Sequence, residues 1–130
     1  MRVRLATIVL VAVATALLLS ACSSSGGAAS SPDDAPFEVP GGPVATTHVS
    51  LPKSYRFEPA VAEIRAGDTV TWTNEDDFPH NVHLLDGSDR TVDLPIGESG
   101  SITFEDTGTI YYECSIHPQQ MHGKVIVKEG

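Results

Sequence analysis

From about Val44 onward the chain is written in short runs that alternate apolar and polar residues, punctuated by Gly, Pro and Asp. No helical stripe long enough to matter interrupts them. In "TVTWTN" the alternation puts Val70 and Trp72 on one face and three threonines on the other, the pattern of a half-buried strand. "ITF" repeats it with Ile102 and Phe104 inward, and "IYYEC" aligns Ile110, Tyr112 and Cys114. "KVIVK" reads as a closing strand. Turn signals stand at Ala66–Gly67–Asp68, Asp86–Gly87, Pro95–Ile96–Gly97 and Asp106–Thr107–Gly108. Many short strands at this spacing predict an all-β sandwich of about ninety residues, spanning 44–130.

The residues before it read differently. Arg2 and Arg4 give a positive start, and Leu5 to Leu19 is an almost unbroken apolar run. It is short of the roughly 20 residues a bilayer span needs, so 1–21 reads as an export signal. The run ends in "LSAC", Leu19 to Cys22, which resembles the lipobox of bacterial lipoproteins, where the cysteine takes the lipid and becomes the first mature residue. An ordinary cleavable signal with a chance cysteine is the bland alternative, and the scarcity of cysteine argues against it. Residues 23–43 are Ser, Gly, Ala and Pro with few large apolar groups, so 22–43 is expected to be a lipidated cysteine followed by a flexible linker. Such a linker reaches roughly 25 Å, enough to hold a small domain off a membrane.

Charge and cysteine count narrow the function. The whole chain carries a formal −9, and without Arg2 and Arg4 six basic residues face 17 acidic ones, a net of −11. That excludes nucleic acid and docking on anionic lipid, and favours partners with basic surfaces. Of the two cysteines, lipidation of Cys22 would leave Cys114 alone in an exported protein. One thiol cannot build a disulfide framework, and a lone thiol in an oxidising compartment calls for a role.

That role is suggested by "YYECSIHPQQMHGKV", residues 111–125, which gathers Cys114, His117, Met121 and His122. Soft metals take a thiolate with imidazoles to complete the set. Cys114 and His117 are separated by two residues, so one turn at a strand end can aim both at a point, and Met121 follows on the same loop. One more imidazole is needed from elsewhere. In "NEDDFPHNVH", His80 and His83 are three apart and face opposite sides of a strand, so at most one can join. His80, just where a strand begins, faces the same rim as the 114–121 loop.

"FEPAVAEIRAGDTVTWTNEDDFPHNV" followed by "YYECSIHPQQMHGKVIV" resembles the small blue copper proteins, the plastocyanin and amicyanin type of cupredoxin, over residues from about 46 to 128. The resemblance implies a Greek-key β-sandwich of the cupredoxin type and one type 1 copper per chain. It makes His80, Cys114 and His117 the equatorial ligands and Met121 the weak axial one. It also gives Asn81 a supporting role, its side chain bonding the backbone beside Cys114 and tying the two ligand loops together. Two departures stand out. Three residues separate His117 from Met121, where amicyanin-type loops hold two and plastocyanin-type loops four. Ile110 also stands where the family usually has a tyrosine, so its corner hydrogen bond is absent or made by Tyr111 or Tyr112.

Bland readings fit the remaining residues. Trp72 is core; His48 and His83 are surface residues; the acidic run Glu75, Asp76 and Asp77 is a solvated loop. His122, beside Met121, is a decoy that points away into solvent. The function expected is single-electron shuttling between extracytoplasmic or membrane-bound redox partner proteins by a monomeric, lipid-anchored domain on the outer face of the bacterial cytoplasmic membrane. It is not expected to be an enzyme, because an oxidase or nitrite reductase needs extra His-x-His pairs and the chain has none. The alternative is a copper storage or delivery lipoprotein, against which a single methionine beyond the initiator argues. Zinc is chemically possible with Cys and His donors.

Overall fold

The computed structural model describes residues 34–130, so the expected export signal at 1–21 and the expected lipidation site Cys22 lie outside the described residues. Nine strands follow one another: β1 (Val44–Ala45), β2 (His48–Leu51), β3 (Val61–Arg65), β4 (Thr69–Asn74), β5 (His80–Leu84), β6 (Thr91–Leu94), β7 (Ser99–Thr103), β8 (Gly108–Glu113) and β9 (His122–Lys128). They form two sheets, one ordered β1-β3-β9-β8-β5-β6 and the other β2-β4-β7. No helix among the described residues is long and apolar enough to cross a membrane.

The alternation read in the sequence is the alternation of the sandwich. Val70 and Trp72 of β4 are fully buried, as are Tyr112 of β8 and Cys114 just beyond its end, and Val125 and Val127 of β9 face the same interior. On the outer face of β4 the threonines pair with β7 hydroxyls in three rungs: Thr69–Thr103 at 2.7 Å, Thr71–Ser101 and Thr73–Ser99 at 2.8 Å. Between the sheets sits an aromatic cluster, with Tyr112 edge-on to Trp72 and Phe57 at ring separations of 5.4 and 4.8 Å.

Two strand pairings bring the candidate ligands to one pole. β8 runs antiparallel to both β5 and β9, in the register His83↔Glu113 and Glu113↔His122. The start of β5, the end of β8 and the start of β9 therefore meet at one end of the larger sheet. Residues 34–40, assigned by composition to the linker, lie along the outer face of β8 and β9. Phe37 there contacts Tyr111 and His122.

Candidate metal centre

Cys114 follows the last residue of β8 with its side chain directed inward, so its thiol is fully buried at the pole of the sandwich. The chain then turns tightly. The amide N–H of His117 donates to the Cys114 carbonyl at 3.1 Å, those of Gln120 and Met121 donate to the His117 carbonyl at 3.1 and 3.2 Å, and Cys114 N–H donates to the Met121 carbonyl at 3.1 Å. This closed loop brings His117 Nδ1 to 4.0 Å from Cys114 Sγ. His80, at the start of β5, places its own Nδ1 3.8 Å from the same sulfur. The three donor atoms all lie within 4.8 Å of one another. Donors bound at about 2.0–2.3 Å from one centre stand roughly 3.5–4 Å apart, so the set fits one ion. Met121 is fully buried at the end of the loop. A thiolate, two imidazoles and a thioether are the donor chemistry of a type 1 copper site; His80, Cys114 and His117 converge here, and with the buried Met121 on the same loop they are the residues that could hold one.

Asn81 joins the two halves. Its side-chain oxygen accepts from Ser115 N–H at 2.8 Å, and its amide nitrogen donates to Ser115 Oγ at 2.7 Å. The residue after Cys114 is thus tied to the residue after His80. His83 turns to the other face, bonded to Thr91 at 2.9 Å, and His48 is exposed on β2. Tyr112 does not make the corner hydrogen bond, since its buried hydroxyl has no partner.

Two of the bland readings need correction. Asp76 is not part of a solvated loop: it is only 4% exposed, and its carboxylate accepts from His80 Nε2–H at 2.9 Å. The loop turns it inward because its own N–H donates to Asn74 Oδ1, while Asp77 N–H donates back to its carboxylate. Burial alone would raise its pKa, but hydrogen bonds from His80 and from the Asp77 and Tyr55 amides, with the field of His80, hold it below the ordinary carboxylate value. An ionised Asp76 requires the proton on Nε2 and leaves the Nδ1 lone pair of His80 free for a metal. His122 does point away from the donors, but it is half-buried rather than solvated, its Nε2 within 2.6 Å of the Pro118 carbonyl.

Tyr55 was not singled out in the sequence at all. Its ring lies 4.6 Å from His117, 5.9 Å from His80 and 5.6 Å from Phe78, covering the edges of both imidazoles. Ser54 and Tyr55 take the left-handed backbone (φ 86° and 53°), rare for residues with a Cβ. The only sequence signal was a bulky aromatic in the polar stretch "PKSYR".

Comparison with known proteins agrees with this geometry. Residues 45–128 match the family described as copper binding proteins, plastocyanin/azurin family. Amicyanin from Paracoccus denitrificans is 34% identical over 105 residues, 75% of this chain and 76% of that protein. A solved structure of a reduced amicyanin mutant superposes with a TM-score of 0.56 at 35% identity, covering 62% of this chain and 80% of its own. A copper-containing nitrite reductase from Thermus scotoductus also superposes, with a TM-score of 0.56 at 33% identity over 64% of this chain but 22% of the reductase.

Proposed function

The chain belongs to the plastocyanin/azurin family of copper binding proteins, and from that premise we propose that it is a type 1 copper electron carrier serving redox partner proteins outside the cytoplasm. The observation that carries the reading is a buried thiol held between two imidazole Nδ1 atoms, one of which belongs to a residue that reaches the surface. Copper on these donors supplies a one-electron couple between its Cu(II) and Cu(I) states. The chain supplies the rest. Cys114, His80 and Met121 are buried in the packed pole, where the Asn81–Ser115 bonds and the closed ligand loop hold the donors in one arrangement. Rigid donors keep rearrangement small when the charge on the metal changes. His117 alone of the four reaches solvent, flanked by Ile116 at 51% and Phe78 near its covering Tyr55 at 49% exposure. Such an apolar rim suits brief docking of a partner over the imidazole edge.

A storage or delivery role is less well supported, because exchange of copper asks for accessible donors and three of the four here are buried. A catalytic copper would need a second donor set. His48, His83 and His122 sit on separate strands, and His80, Cys114 and His117 make the one such cluster among the described residues. We therefore assign the chain to carriers rather than enzymes, acting as a monomer. Its anchoring through Cys22 to the outer face of the membrane is supported by the "LSAC" sequence after the apolar run.

Loading the purified protein with one equivalent of Cu(II) should give an intense blue thiolate-to-copper band. Cys114→Ser should abolish the band while far-UV circular dichroism still reports a β domain; a band that survives would exclude the assignment, and a colourless site that takes zinc would replace it. For the anchor, Cys22→Ala should shift the protein from membrane to soluble fractions.

A further inference from the structure

His122 is the imidazole that the copper reading leaves unused, and its surroundings are specific. Its ring stacks on Phe37 at 3.9 Å with 8° between the planes, and Phe37 is itself edge-on to Tyr111 at 5.7 Å. On its other side Nε2 reaches the Pro118 carbonyl at 2.6 Å. Pro118 lies between His117 and Met121, inside the ligand loop. Its carbonyl takes no bond from the loop's own amides: those of His117, Gln120 and Met121 donate to the Cys114 and His117 carbonyls, that of Cys114 to Met121 and that of Ser115 to Asn81. Donation from His122 Nε2–H is thus the bond that fastens the solvent side of the loop to the sheet. The stacking needs Phe37, which arrives from residues 34–40 lying across β8 and β9, next to Tyr111 and Lys124.

We propose that His122 is a positioning residue for the copper loop and that Phe37 holds it in place, so that the N-terminal segment and the ligand loop form one clasp. The contact reaches Pro118, the residue next to the exposed ligand, through a ring whose orientation is set from outside the loop. Removing Phe37 frees the His122 ring to turn; removing His122 leaves the Pro118 carbonyl to water. Either change loosens the same part of the loop. The consequence at copper rests on the copper reading, whereas the clasp itself does not.

The test uses the full chain in two states. In the metal-free protein, amide hydrogen exchange at Gln120 and Met121 should become roughly tenfold faster in Phe37→Ala and in His122→Ala, the factor that corresponds to about 1.4 kcal/mol for one lost hydrogen bond. His122→Gln keeps an N–H donor and should recover most of the protection. The double variant should exchange no faster than His122→Ala, because both act through one contact. In the copper-loaded protein both single variants should keep the blue band and shift the reduction potential with a common sign. A contact that serves only stability would lower the melting temperature and leave the loop amides and the potential unchanged; that result overturns the clasp, as does an additive double variant. A parent chain that takes up no copper would instead sink the copper reading, and the exchange data would still decide the clasp.

Discussion

Asp76 shows how one side chain can set the electronics of a ligand it adjoins. Its buried carboxylate accepts the Nε2 proton of His80 and brings a negative charge close to the donor set. Both effects make Nδ1 a stronger donor and favour Cu(II) over Cu(I). Asp76→Asn keeps an oxygen acceptor at the same place and removes only the charge. The potential should therefore rise. Charge-assisted hydrogen bonds exceed neutral ones by about 1–1.5 kcal/mol, so a shift on the order of 60 mV is expected for this one-electron couple. Voltammetry on the blue protein reads it directly, and an unchanged or lower potential would show that the carboxylate does not bear on the metal. None of this was visible in "NEDD". The three consecutive acidic residues Glu75, Asp76 and Asp77 read as a solvated loop because sequence shows only that a charge is present, and burial depends on Asn74 turning the chain inward. Cys114, His80 and His117 were legible because soft donors are scarce and a thiol separated by two residues from a histidine has few other uses. Tyr55 was not, since its contacts depend on a left-handed backbone at two residues that carry no glycine signal.

At the scale of elements, the pair β8–β9 carries the metal pole and has a single weak tolerance. Gly123 lies opposite Tyr112, and a Cβ placed there would run into the Tyr112 ring. That ring cannot retreat, being fully buried against Trp72 and Phe57. Gly123→Ala should destabilise the domain by about 1–3 kcal/mol, the usual range for overpacking. Urea unfolding would measure it. Tyr112→Phe in the same chain should restore part of the loss, because the hydroxyl is among the atoms in conflict and has no hydrogen-bond partner to forfeit. A loss under 0.5 kcal/mol, roughly the scatter of surface substitutions, would mean that the two strands separate more easily than their packing implies. Strand interiors were the most legible elements. In "TVTWTN" burial falls on every second residue, the apolar Val70 and Trp72 and then the polar Asn74 that ends the strand. Pairing was not legible. β2 with β4 and β3 with β9 run parallel, which alternation within each strand cannot reveal, since period-two burial is the same in either direction. The start of β9 at His122 was hidden for a related reason: "HGK" has no apolar residue to mark it, and Gly123 is buried only because Tyr112 fills the space above it.

For the molecule as a whole, acid should act at both poles at once. Asp76 sits at the metal pole; Asp86 follows β5 at the opposite one, where Ser88 N–H and Arg90 Nη2 donate to it at 3.0 and 3.3 Å. Burial tends to raise the Asp86 pKa, but the bonds from Ser88 and Arg90 outweigh it and the value lies below the ordinary one; the same balance holds for Asp76. A carboxylate depressed in the folded state contributes stability above its unfolded pKa, about 3.9 for Asp, and loses it as pH falls through the folded value. The metal-free domain should thus hold a plateau above about pH 4 and weaken below it. Asp86→Asn should lower the plateau by about 0.5–1 kcal/mol, since the Arg90 pair is partly exposed. Asp76→Asn should lower it by about 1–3 kcal/mol, since a buried charge-assisted bond is weakened. Both variants should also narrow the difference between urea midpoints measured at pH 6 and pH 3, because each removes a group whose proton uptake drives the acid loss. Should the two variants keep the parent's full pH 6 to pH 3 difference, acid sensitivity would have to reside in the many exposed carboxylates of this strongly acidic chain. In that case salt would flatten the acid limb by screening, whereas the buried Asp76 bond is little affected by salt.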